Sequence, residues 1–128
     1  MVDDARCVRR DAALVQPEWS PDGALHVITD ASGWWGIERV EDGLGLTDGE
    51  RAVPPRDLGE PPWVFGGSTY AFRTDGTVVT LVDTERVLSD VTCIRTRGDA
   101  IVAAGATWTH ETQVVQIDAD GASSLLRA

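Results

Sequence analysis

A chain of 128 residues, 42% hydrophobic and 25% charged, has the length of one domain at most and the composition of an ordinary soluble globular protein. Its formal net charge of −10, from 21 acidic against 11 basic residues, speaks against nucleic acid and anionic membrane as partners, because neutralising phosphates takes basic patches. No apolar run approaches the roughly 20 residues of a bilayer span, and Met1 to Leu14 is too charged for a secretory leader, so a cytoplasmic location is expected.

In chain order, Asp4 to Leu14 is the one helix candidate, although Arg6-Cys7-Val8-Arg9 reads equally well as a strand. The remainder is a series of short β-branched or alternating runs cut by Gly, Asp and Pro. These predict strands over Leu25–Thr29, Gly36–Val40, Thr69–Arg73, Thr77–Val82, Val91–Arg95, Ala100–Ala104, Thr112–Ile117 and Ser123–Leu126. Between Gly43 and Pro62 lie Pro54, Pro55, Pro61 and Pro62. Proline has no amide to give a sheet, so this stretch is expected to be a loop joining two strand groups, not a domain boundary. Cys7 and Cys93 are far apart and in no metal-like spacing, which favours two free thiols; Cys93 sits among Val91, Thr92 and Ile94 as a structural cysteine would.

An internal repeat selects among the all-β architectures. Trp19-Ser20-Pro21-Asp22-Gly23, Phe72-Arg73-Thr74-Asp75-Gly76 and Ile94-Arg95-Thr96-Arg97-Gly98 each place a large apolar residue four positions before a glycine, and an apolar strand follows within two residues. Glycine supplies the positive φ that a tight hairpin turn requires, and the earlier apolar residue is expected to pack on the face shared with the next strand. The expected fold is all-β: a partial, TolB-like or WD40-like β-propeller of two to three antiparallel blades, one of them incomplete. Its segments would be 1–53 (a blade), 62–88 (a shortened blade, cut between Val82 and Val87) and 89–128 (a final blade).

Gln16-Pro17-Glu18-Trp19-Ser20-Pro21-Asp22-Gly23, then Leu25 to Asp30 and Ser32-Gly33-Trp34-Trp35, resembles a propeller blade of the prolyl oligopeptidase family of serine peptidases. The branch it resembles is the bacterial acylaminoacyl-peptidase-like or dipeptidyl-peptidase-like one. The run Trp63-Val64-Phe65-Gly66-Gly67-Ser68-Thr69-Tyr70-Ala71-Phe72 looks like the start of the next blade. The stretch from Ile101 to Asp118 is similar to the blade before the hydrolase domain. The resemblance implies a propeller that caps an α/β-hydrolase domain and filters peptide access to it. It implies a scaffold role, with that hydrolase domain or the remaining blades as partners. Self-association is the other way to cover unpaired blade faces, and a truncated product with no activity of its own is a third reading.

No catalytic residues carry over from the resemblance. Gly66-Gly67-Ser68-Thr69-Tyr70 comes nearest to a G-x-S-x-G nucleophile turn but lacks the second glycine and the following helix, so Ser68 reads as a turn residue. The family's Ser-His-Asp triad is not matched, no enzyme activity is expected, and no cofactor is implied. Asp118-Ala119-Asp120-Gly121 has too few oxygen ligands for a calcium loop and reads as a hairpin turn. His26 alternates with Leu25 and Val27 and should face away from them. The ligand-contact candidates are Trp34 and Trp35, whose indoles should lie on opposite faces, and His110 with Glu111 at a loop tip. Trp19, Trp63 and Phe72 are expected in the core.

Overall fold

The computed structural model describes residues 10–41, 45–46, 57–60, 63 and 65–127. Cys7, most of the Asp4 to Leu14 candidate helix, most of the proline-rich stretch, and the segment limits at 53 and 62 lie outside them. Two compact units divide the chain, Met1–Gly59 and Glu60–Ala128.

In the first unit, β1 (Leu14–Trp19), β2 (Leu25–Thr29), β3 (Gly36–Glu41) and β4 (Gly45–Leu46) form an antiparallel sheet in sequential order. The short β4 is a difference from the expected loop after Gly43. It pairs Val40 with Leu46 and Glu41 with Gly45. β1 escapes a reading by alternation because it carries an extra residue: Val15 pairs with Ile28 but Glu18 pairs with His26. Gln16 takes up this bulge with a φ of 47°, and Pro17 is tolerated because β1 is an edge strand. β2 is covered on both faces, with Val27 and Ile28 both buried.

The second unit begins with a hairpin, β5 (Tyr70–Phe72) and β6 (Val78–Thr80), followed by a 3-10 helix at Leu81–Thr84. β7 (Asp90–Arg97), β8 (Ala100–Ala106), β9 (Gln113–Ile117) and β10 (Ser123–Arg127) then form a second four-stranded meander. Register builds its inner face: Ile94, Ala103 and Val115 align in one row across the sheet, and Ile101 and Ile117 in another. All five are buried with Ala71 and Val79, which are paired on the hairpin, and with Leu88. Burying a Val or Ile side chain is worth about 1.5–3 kcal/mol, so this facing set is the main attraction between the two sheets.

The hairpin and the meander meet along β5 and β7. The amide of Ser68 donates to the Thr92 carbonyl at 3.2 Å, and the Ile94 amide donates to the Ser68 carbonyl at 3.1 Å. A residue bonded to both flanking neighbours of the one opposite is the pattern of a parallel pair. Farther along, the Thr96 hydroxyl donates to the Phe72 carbonyl at 2.6 Å. The first strands of two successive sheets therefore run side by side in the same direction, which suits a propeller and not a single closed meander. The bulge in β7 between Val91 and Cys93 brings β8 close. A Cβ on Gly105 would lie 2.2 Å from the Asp90 carbonyl oxygen, so only glycine fits there.

The turn repeat is present with a different third member. Ser20 to Ala24, Arg73 to Thr77 and Asp118 to Ala122 share one hydrogen-bond pattern: the first residue's amide reaches the fifth residue's carbonyl, and the glycine amide returns to the first carbonyl. Gly23, Gly76 and Gly121 have φ of 84°, 88° and 85°, as a three-residue loop ending in a left-handed residue requires. Gly98 also has positive φ, 60°, but it forms a two-residue turn between Arg97 and Ala100. What separates these three turns from that at Gly98 is the Asp before the glycine, since all four have a large apolar residue (Trp19, Phe72, Ile117 and Ile94) four positions before it.

Candidate functional site

Trp34 and Trp35 differ in exposure. Trp34 is exposed. Trp35 is half-buried: its amide donates to the Asp57 carboxylate at 3.1 Å, and its carbonyl accepts from the Leu58 amide at 2.9 Å. A Cβ on Gly59 would come within 2.6 Å of the Trp35 ring. Trp35 thus anchors the 57–59 segment and leaves Trp34 as the accessible indole of the pair.

His110 and Glu111 lie exposed in the loop between β8 and β9. The loop closes on itself: the Thr107 amide donates to the His110 carbonyl at 3.1 Å, and the Thr107 hydroxyl oxygen accepts from the His110 amide at 3.0 Å. The His110 ring nitrogen Nδ1 lies 2.8 Å from the Thr109 hydroxyl, so that side of the imidazole already has a partner. Trp108, in the same turn, is 94% exposed, and the sequence reading did not single it out. A tryptophan flanked by threonines in a polar connection carries no periodic signal by which it could be found.

Two expectations about the core are corrected. Trp19 is 68% exposed and Trp63 78% exposed, and Phe65 beside the latter is 99% exposed. Trp19 ends edge strand β1 just before its turn, paired with Leu25 on one side and with no strand on the other among the described residues. Phe72 is half-buried and meets Tyr70 edge to face, with ring centroids 5.8 Å apart.

Ser68 is not the turn residue expected but a buried tie paired against β7. Its hydroxyl donates to the Ile94 carbonyl at 2.8 Å and accepts from the Ile94 amide at 3.0 Å. The Arg95 guanidinium donates to it as well, and the Cys93 sulfur lies 3.4 Å away. None of these partners is a general base, and the arrangement holds a strand in place instead of activating an oxygen. Cys93 is a free, half-buried thiol. His26, beside Glu18 and Arg39 across the sheet, has its Nδ1 3.3 Å from the Ala24 carbonyl. Asp118 to Gly121 forms a turn in which Asp120 accepts from the Ala122 amide at 2.9 Å. Among the described residues no group of His, Cys, Asp and Glu is placed to hold a metal ion. No described helix is long and apolar enough to cross a membrane.

The exposed aromatics are thus the accessible large side chains among the described residues, whereas Ser68 and Asp120 are engaged in hydrogen bonds. No family model and no curated protein matches the sequence. Solved structures do match in fold. A puromycin hydrolase superposes with a TM-score of 0.69 at 23% identity, over 92% of this chain and 21% of its own. A puromycin-hydrolysing peptidase from Mycobacterium tuberculosis gives the same score and identity over 91% of this chain. The chain thus spans about a fifth of the length of its structural neighbours. In fold it is a partial β-propeller similar to a segment of these peptidases.

Proposed function

We propose that this chain is a non-catalytic propeller segment that scaffolds, and gates peptide access to, the α/β-hydrolase domain of a serine peptidase. The observation that carries this reading is the likeness in fold over 92% of the chain to puromycin-hydrolysing peptidases. The chemistry of Ser68 supports it, since the one serine set in a nucleophile-like sequence is spent on strand pairing.

The decisive experiment assays the purified chain with a chromogenic acyl-peptide and with puromycin. No hydrolysis above buffer is expected. Hydrolysis that a serine-directed inhibitor abolishes would overturn the reading.

A second reading, a free-standing binding module completed by copies of itself, is favoured by the exposure of Trp19, Trp63, Phe65 and Trp108. The adjoining coding sequence discriminates the two. A stretch encoding a G-x-S-x-G hydrolase motif favours gating, and its absence favours the module.

A further inference from the structure

The hairpin β5–β6 ends in a two-stranded sheet, whereas the meander after it has four strands. Ladder alternation shows which groups of β6 are left over. The Arg73 amide bonds the Thr77 carbonyl at 2.8 Å and the Leu81 amide bonds the Thr69 carbonyl at 3.0 Å. Residues opposite one another alternate between bonded and non-bonded pairs. Tyr70–Thr80 and Phe72–Val78 are therefore the non-bonded pairs of this hairpin. The backbone groups of Val78 and Thr80 face the outer side, where no strand is paired among the described residues. Such an edge is a ready template for another strand.

One of its two donors is already taken. The Thr80 amide donates to the Asp83 carboxylate at 2.7 Å, and the Thr80 hydroxyl lies 3.3 Å from the same oxygen. The 3-10 helix that carries Asp83 is held in turn by Thr84, which is fully buried and donates its hydroxyl to the Leu81 carbonyl at 2.6 Å. The Thr84 carbonyl then accepts from the Val87 and Leu88 amides, both at 2.9 Å, and Leu88 is buried in the core.

We propose that the Leu81–Thr84 turn stands in for the outer strands of the short blade, and that Asp83 closes the β6 edge against pairing with the same edge of a second copy. A carboxylate is well suited to this, because it satisfies the amide while adding a negative charge that an incoming identical edge would meet with its own. The segment's position after β6 also accounts for a sheet that stops at two strands in a chain otherwise built of four-stranded meanders.

Amide hydrogen exchange on the intact wild-type chain tests the cap directly. Val78 and Thr80 both face outward, yet the Thr80 amide is expected to exchange about tenfold or more slowly than that of Val78, as a hydrogen bond to a charged acceptor implies. Equal rates at the two positions would overturn the proposal, and this readout does not depend on whether the chain self-associates through its apolar surfaces. Asp83→Ala is expected to raise self-association above wild type in sedimentation, with the Val78 amide gaining protection as concentration rises. Asp83→Asn, which keeps an acceptor oxygen, is expected to lie between the two. A folded Asp83→Ala chain with wild-type association at every concentration would also overturn it.

Discussion

Aspartate accepts from the amide two residues on in three turns, and in two of them, at Asp22 and Asp75, the surroundings make that work dependent on pH. Asp22 is held below the usual carboxylate range chiefly by the Ser20 hydroxyl and then by the Ala24 amide. Asp75 is held low by the Thr77 amide, then by the Thr77 hydroxyl. A carboxyl whose folded pKa is depressed contributes stability at pH values above its unfolded pKa, near 3.9, and loses it as pH falls through the folded value. Stability should therefore drop on acidification below about pH 4, where both turns lose their anionic acceptor. Urea midpoints measured from pH 6 down to about pH 2 for the wild type and for Asp75→Asn check this. The variant should show the shallower decline, because it has one titrating turn fewer; identical slopes would refute the assignment.

Strand pairing, at the scale of elements, depends on side chains whose sequence context suggests other roles. Ser68 is buried between β5 and β7 and makes hydroxyl bonds to both the amide and the carbonyl of Ile94. Ser68→Ala leaves the backbone pairing of residue 68 intact and the Arg95 bond to the Ile94 carbonyl at 2.8 Å, but removes the buried hydroxyl that ties the amide and carbonyl of Ile94. A loss of about 1–3 kcal/mol is expected, read as a lower urea midpoint with an unchanged slope. A midpoint within error of wild type would show that the tie is redundant. The 3-10 helix was invisible to pattern reading for a related reason. Leu81 and Val82 continue the apolar run of β6, and the run ends where Asp83 accepts from the Thr80 amide and Thr84 donates to the Leu81 carbonyl. All eight predicted strands are present; a turn glycine separates β2–β3, β5–β6, β7–β8 and β9–β10, while the β6–β7 and β8–β9 connections carry none. The missing β1 was hidden by the bulge at Gln16 and by Pro17, which break alternation in an edge strand.

At the scale of the whole molecule, the proposed role turns on large apolar side chains that the folded units leave in water. Trp19, Trp34, Trp63, Phe65 and Trp108 are exposed, and so are Leu125 and Leu126 on the outer strand β10. Large contiguous apolar patches mark interaction surfaces. The proposal that missing blades or further copies cover it predicts a sedimentation coefficient for the pure chain that rises with concentration, and that salt leaves largely unchanged. A chain that sediments as a monomer throughout would remove the self-association reading and leave the hydrolase partner.

Local chemistry determined the all-β class, the strand positions and the Asp-Gly turns, since β-branched runs and left-handed glycines act over a few neighbouring residues. The likeness to a peptidase propeller was legible for the same reason, as it rests on turn and strand segments in order. Which aromatics are buried was decided by tertiary structure alone. Trp35 and Trp34 are neighbours in sequence, yet Trp35 is packed by Gly59 and Trp34 is not. Trp19 looked like core, but on edge strand β1 it has a paired strand on one side only among the described residues. Burial depends on what stands opposite a side chain, and that is set by register and by the pairing of distant segments, which no local pattern encodes.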